Sequence, residues 1–276
     1  LSNERQITQV WNKFAEAGFR YATTSGEIYE LGTVDGERRE QLPARQNLLQ
    51  KFLDGELDLE SFKSKMAAES SRHRLWGYSG GGGMFFNMLV SSANPEADIK
   101  LAQLLREVLV APGDREMAAE QIRKFEQEVE QIRAQVDDLR SAPKLGFIPY
   151  FVSYFWQLQA PDTYPIYYKS MRRVFSDLAI WEPSDDLAED YLEFWELNEE
   201  IREVLESHTG EEIHLWTIER MCLFWLSRDE LDEGSMGEGG KETTKVKRAE
   251  PTEARSLPDS YIPPIVSVLP DLSQNT

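Results

Sequence analysis

Between Phe147 and Val174 the chain concentrates aromatic residues more densely than anywhere else, together with Pro149, Pro161 and Pro165 and the basic residues Lys169, Arg172 and Arg173. Pro149 fits the first turn of a helix, where its missing N–H leaves no bond unmade. Phe151, Tyr154, Phe155 and Leu158 follow at helical spacing and form one apolar face. Pro161 ends that helix, because the residue before a proline is pushed out of the α region. Tyr164-Pro165 reads as an extended or turn dipeptide. A second helix resumes near Tyr168, with Met171, Val174 and Leu178 on one side and the three cations on a more exposed one. The stretch therefore predicts a helical hairpin at the centre of an α-helical core. It also offers a binding surface, bordered by Tyr164, Tyr167, Tyr168, Lys169, Arg172 and Arg173.

The net charge limits what such a surface could do. With 49 acidic against 30 basic residues the formal charge is -19, and a field of that sign repels phosphate backbones. Any contact with nucleic acid has to use a local basic patch. The 41% hydrophobic and 11% aromatic content is that of a folded protein of 276 residues, long enough for a sizeable core. The single cysteine, Cys222, excludes an internal disulfide and any multi-cysteine zinc site, and its apolar neighbours read it as a buried thiol. No apolar run reaches the length of a membrane span, and no signal-peptide pattern is present, so a cytoplasmic location is expected. Leu1 stands where an initiator methionine would, and the chain reads as part of a longer one.

In chain order, residues 3–18 form an amphipathic helix with Ile7, Val10, Trp11 and Phe14 on one face and Asn3 as its cap. Tyr21 to Gly36 is the one strand-like region and predicts a short hairpin. Helices follow near Pro43–Phe52 and Leu59–Ala68. Gly80, Gly81, Gly82 and Gly83 then precede a helix at Met84–Val90. Four glycines could offer free backbone N–H groups to an anion. A flexible or tightly packed lead into the helix is the plainer reading. A helix from Pro95 to Val110 is expected next, and a long polar one from Asp114 to about Arg140. The long helix pairs either with another helix of the same domain or in a short coiled coil. Helices at Asp185–Ser207 and Glu212–Arg228 complete the domain, with Glu219 and Arg220 at the edge of the nearly apolar second one. The expected organisation is a mostly α domain over residues 1–228, a disordered charged linker over 229–260, and a lead-in over 261–276 to a missing downstream domain.

Catalytic patterns are weak. His73, His208 and His214 lack clear ligand spacing, and no metal site is predicted. Gly77-Tyr-Ser-Gly-Gly81 matches a nucleophile elbow by letters, but only Leu75-Trp76 stand where a core strand should lead into Ser79. Gly234 to Lys241 imitates a phosphate loop, yet Glu242 replaces the required Ser or Thr and no strand precedes it. No catalytic residue and no cofactor are assigned to this chain.

Two stretches, Leu75-Trp-Gly-Tyr-Ser-Gly-Gly-Gly-Gly-Met-Phe-Phe-Asn-Met-Leu89 and Ser153-Tyr-Phe-Trp-Gln-Leu-Gln-Ala-Pro-Asp-Thr-Tyr-Pro-Ile-Tyr-Tyr-Lys-Ser-Met-Arg172, resemble the helical N-terminal regions of prokaryotic restriction and defence proteins that carry an McrB-like AAA+ NTPase domain. The resemblance covers roughly residues 75–225. It implies a non-catalytic recognition module that binds target DNA, with the NTPase part beyond Thr276 or on a partner subunit, since this chain lacks the Walker motifs. The alternative is a protein–protein adaptor of the same kind of system that never touches nucleic acid.

Overall fold

The aromatic stretch does form the centre of the fold. A computed structural model of the chain describes residues 3–22, 27–72, 78, 81–92 and 95–235. They comprise α1 Glu4–Glu16, β1 Arg20–Ala22, β2 Ile28–Glu30, α2 Leu31–Leu53, α3 Leu59–Arg72, α4 Gly81–Ser92 and α5 Pro95–Val108. After these come α6 Arg115–Ala134, α7 Ile148–Gln159, α8 Lys169–Asp177, α9 Leu187–Thr209 and α10 Leu215–Ser235, with a 3-10 turn at Leu145–Phe147 leading into α7. The protein is thus mostly α, with one two-stranded antiparallel hairpin. Residues 1–237 form one unit, and residues 238–276 lie outside the described part. The lead-in expected over 261–276 falls there, as does most of the expected linker. Its first residues extend α10 as far as Ser235.

Helix α7 is buried from Ile148 to Leu158 except at Tyr150, which is partly exposed. Its Phe151 meets Phe85, Phe86 and Phe125, and its Phe155 meets Phe62, which stacks on Phe52 at 4.3 Å. A helix buried on every side must also satisfy its polar side chains inside the protein. Trp156 Nε1 donates to Val108 O at 2.9 Å, and Gln159 Nε2 donates to Leu109 O at 2.7 Å, which fixes the end of α5. Gln157 Nε2 donates to Tyr164 O at 3.0 Å while its Oε1 accepts from Trp216 Nε1 at 3.0 Å. Ser153 Oγ accepts from Tyr167 N at 3.0 Å. The last two side chains pin the returning segment 160–168 against the helix it has just left.

Several sequence expectations change. Helix α2 begins at Leu31, not near Pro43, and runs through Pro43 to Leu53. A mid-helix proline costs on the order of 3 kcal/mol. Anchors on both sides of Pro43 offset it: Arg38 pairs with Glu219, Arg45 donates to Tyr154 Oη at 3.0 Å, and Gln46 donates to Leu158 O at 2.7 Å. Asn3 precedes α1 but makes no capping bond; its amide reaches Glu200 at 3.4 Å. Helix α6 stops at Ala134, leaving Leu139 exposed, and its apolar side packs within the domain on α5, α7 and α9. Asp114 caps it by accepting from Met117 N at 2.8 Å.

Glu219 and Arg220 are not at the edge of α10 but buried at 7% and 2% exposure. Arg38 grips Glu219 with two parallel bonds of 2.7 and 2.8 Å, and Arg220 adds a third of 2.9 Å. Asp35 faces Arg220 at 3.8 Å. Burial alone would push the Glu219 carboxyl up, but Arg220 and Arg38 overcome it and hold the group below its usual range. The hairpin joins the same region, since Ala22 N donates to Ser227 Oγ on α10 at 3.1 Å.

A buried pair is costly to break because the surviving charge is left without its counter-charge. Replacing Arg38 with Met should therefore lower stability by about 3 kcal/mol. Adding Glu219→Gln should recover part of the loss, because the two carboxylates left against the single Arg220 guanidinium are reduced to one, Asp35. Urea denaturation of the two variants against wild type measures both effects; a double variant weaker than the single would contradict this account.

Candidate ligand-binding cavity

The segment that Ser153 and Gln157 pin ends at a cavity of about 700 Å³. Lys144, Lys169 and Arg172 supply its positive charge, and Phe147, Tyr150, Tyr167 and Tyr168 its aromatic walls, with Gly81 at the start of α4 and Ser170 also at its margin. No carboxylate lines it among the described residues. Tyr150 and Tyr168 face one another at 5.6 Å between ring centres, and Phe147 stacks on the buried Phe85 at 6.2 Å. The cavity thus brings the glycine-rich segment and the Tyr167–Arg172 segment, distant in sequence, to one place.

The candidate residues are divided by the fold. Tyr168, Lys169 and Arg172 reach the cavity, and Tyr167 contributes a wall although it is 2% exposed. Tyr164 does not reach it. Its hydroxyl donates to Pro112 O and its ring packs on Trp156 and Trp195, so it fixes the α5–α6 turn. Arg173 also points elsewhere, toward Asp177 one turn along α8 at 3.6 Å, with a side chain 70% exposed. Gly80 lies outside the described residues.

Of the remaining glycines, Gly81 and Gly82 serve close approach. A Cβ on Gly81 would stand 2.7 Å from Phe147 Cε1, and one on Gly82 3.0 Å from Tyr150 Cε1 and 3.2 Å from Tyr78 Cδ2. Gly83 N donates to Tyr78 O at 3.1 Å, so that N–H is committed inside the protein. The glycines let α4 press against the turn that carries two walls of the cavity.

Arg172 has the most constrained surroundings of the three cations. Its guanidinium lies 4.5 Å over the Tyr167 ring and 5.5 Å from the ring of Trp181, and its side chain is 31% exposed. Burial pulls its ionisation below the usual guanidinium range, though an arginine stays charged at neutral pH. Its Nε is buried and makes no hydrogen bond. Below it, Asp190 Oδ2 stands 3.8 Å from Nη2. Tyr168 carries a buried hydroxyl with no hydrogen-bond partner. Burial raises that hydroxyl's pKa, as does the charge of Glu219, while Arg38 lowers it. The buried Arg38–Glu219 pair is thus close enough for its charges to act on the Tyr168 hydroxyl.

Lys144, Phe147 and Tyr150 were not predicted as site residues. Phe147 and Tyr150 read as core aromatics, and Lys144 is a lone cation in a loop with no periodicity to mark it. Of the histidines, His208 meets Asn12 Oδ1 at 3.0 Å and His214 meets Asp162 at 3.0 Å. Among the described residues no three ligating side chains gather to hold a metal. His73 and Ser79 lie outside them.

The glycine geometry predicts opposite outcomes at adjacent positions. Gly82→Ala forces a methyl between two packed rings, a strain of about 1–3 kcal/mol against a helix-propensity gain of about 1 kcal/mol. Gly83→Ala meets only Tyr78 O at 3.7 Å, an ordinary contact. Chemical denaturation should show net destabilisation for the first, and for the second a neutral effect or a gain of up to about 1 kcal/mol.

No family model, no curated protein and no solved structure matches the chain.

Proposed function

We propose that this chain is the non-catalytic recognition module of a McrB-like restriction or defence NTPase, acting in the cytoplasm, and that it binds target DNA at the Lys144–Tyr150–Arg172 cavity. The observation that carries the reading is the clustering of three cations around aromatic walls, with no carboxylate among the lining residues, in a chain of net charge -19. A surface so acidic can hold a phosphate backbone only at a local exception of this kind. Helices α4 and α8 both begin at the cavity, at Gly81 and Lys169, and neither has an acidic residue in its first turn. The partial positive charge of their N-termini adds to that of the lysines and of Arg172.

The wall chemistry supports the same ligand. Cavities of roughly 300–1,000 Å³ hold small-molecule-sized groups, and a single nucleotide unit is within that range. Phosphates would rest on Lys144, Lys169 and Arg172, while an unpaired or extruded base would lie against Phe147, Tyr150 or Tyr168. Base stacking on such rings tolerates sequence, so discrimination would fall to the polar edge of the pocket, where Ser170 stands. No helix among the described residues is long and apolar enough to cross a membrane. A protein partner is the second reading, favoured by the acidic groove at Glu182, Glu193, Glu196 and Glu200.

Fluorescence anisotropy with modified and unmodified duplex and single-stranded DNA at low salt tests the proposal. Lys169→Glu with Arg172→Glu should weaken binding at least about tenfold and flatten the salt dependence by roughly two phosphate contacts. Arg173→Glu, which alters a cation outside the cavity, should change affinity little. A wild-type chain without measurable affinity for any of these DNAs would overturn the DNA reading in favour of the adaptor.

A further inference from the structure

Asp190 does not line the cavity, yet it touches two residues that do. It sits near the start of α9, 2% exposed, directly behind Tyr167 and Arg172. Its Oδ1 accepts from Ser184 N at 3.0 Å. Its Oδ2 accepts from the Tyr167 hydroxyl and faces Arg172 Nη2 at 3.8 Å. The last separation is too long for a hydrogen bond, so carboxylate and guanidinium interact through charge alone. Arg172 is otherwise held by the ring faces of Tyr167 and Trp181, and its buried Nε makes no hydrogen bond. The guanidinium is therefore placed by aromatic surfaces and partly neutralised by one buried carboxylate.

We propose that Asp190 is a positioning residue for this cavity, whose carboxylate holds Arg172 partly neutralised and, on taking up a proton, releases the full positive charge to an anion in the cavity. The proposal rests on the reading of the cavity as an anion site and adds its regulation.

The surroundings of Asp190 favour such a response near neutral pH. Burial is the largest influence and raises its pKa; the Ser184 N–H lowers it and the charge of Glu193 raises it, leaving it at about 6. The groups that meet it are Tyr167 from the segment before α8, Arg172 from α8, and Glu193 from the next turn of α9. Arg123, on the neighbouring α6, turns instead to Asp186 and Glu189, at 3.5 Å from each. The sign follows directly. A carboxyl raised in the folded state favours its neutral form there, so its stabilising contribution is complete in acid and is lost as pH rises through about 6. Anion affinity should follow the same curve, tight below that pH and weaker above it. The Tyr167 hydroxyl donates to the ionised carboxylate, so its removal should move the midpoint upward.

The test measures the affinity of the full chain for sulfate and for a short oligothymidylate between about pH 5 and 8, a window in which neither probe titrates. In wild type, affinity should rise about three- to tenfold on acidification, with a midpoint near the Asp190 value. Asp190→Asn should bind at the tight level throughout, with no pH response. Tyr167→Phe should keep the response and shift its midpoint upward. If Asp190→Asn does not fold by circular dichroism, the direction of the Tyr167→Phe shift decides, and an unshifted midpoint overturns the proposal. Sulfate following this pattern without any binding of oligothymidylate would uphold the role of Asp190 and remove the nucleic-acid reading. Oligothymidylate binding with a pH profile unchanged in Asp190→Asn would do the reverse. Failure of both probes to bind at any pH would end both.

Discussion

The rest of the structure depends on the burial of α7. A helix enclosed on all sides gains from the contacts of Phe151, Phe155 and Trp156, and it must also find partners for its polar side chains within the protein. A buried polar group left unpaired costs roughly 1–3 kcal/mol, so each of these partners fixes some other segment. Trp156 and Gln159 fix the end of α5. Gln157 and Ser153 fix the backbone of Tyr164 and Tyr167, and Gln157 also takes Trp216 of α10. The cavity exists because the segment leaving α7 is stitched back along it and released only at Tyr168, where α8 turns outward.

A second constraint explains how positive charge persists at one point of an acidic protein. The carboxylates nearest the cavity are already committed inward. Glu219 is held between Arg38 and Arg220, and Asp190 accepts from Tyr167 and Ser184. Other acids are engaged elsewhere: Glu199 with Arg115, Glu107 with Lys124, and Glu128 with Lys100 at 2.7 Å. Lys144 and Lys169 are left facing the cavity, and Arg172 is placed by ring faces with only a distant carboxylate behind it. Exposed pairs such as those of α6 contribute little to stability, with a median of about 0–1 kcal/mol. Their effect is to tie acidic side chains to cations of neighbouring helices.

The glycine run and the ionic cluster show how one position can serve packing and site together. Gly81 and Gly82 admit Phe147 and Tyr150 to within van der Waals contact of α4, and those same rings wall the cavity. Tyr168 lies between the cavity and the Arg38–Glu219 pair, close enough for Glu219 to raise its pKa.

The sequence by itself determined the helical class, the aromatic centre and most helix positions. Those depend on short-range spacing: Phe151, Tyr154, Phe155 and Leu158 share a face whatever surrounds them, and Pro149 and Pro161 bound their helix through local sterics. It also marked the basic residues as the best anion candidates, because charge is read without coordinates. Tertiary structure alone decided which of them face one cavity. Lys169, Arg172 and Arg173 are near neighbours in sequence, yet helical rotation sends Arg173 to Asp177 while Arg172 meets Tyr167 and Asp190. Tyr164 and Tyr168 look alike in the chain, and the difference is a carbonyl at Pro112 that takes the first hydroxyl into the core. The start of α2 and the burial of Arg38 and Glu219 were likewise hidden, because their partners lie on a helix 181 positions away. Propensity at Gly36 and Pro43 argues against a helix, and only the ion pair and the anchors beside it, all formed with residues more than a hundred positions away, reverse the balance.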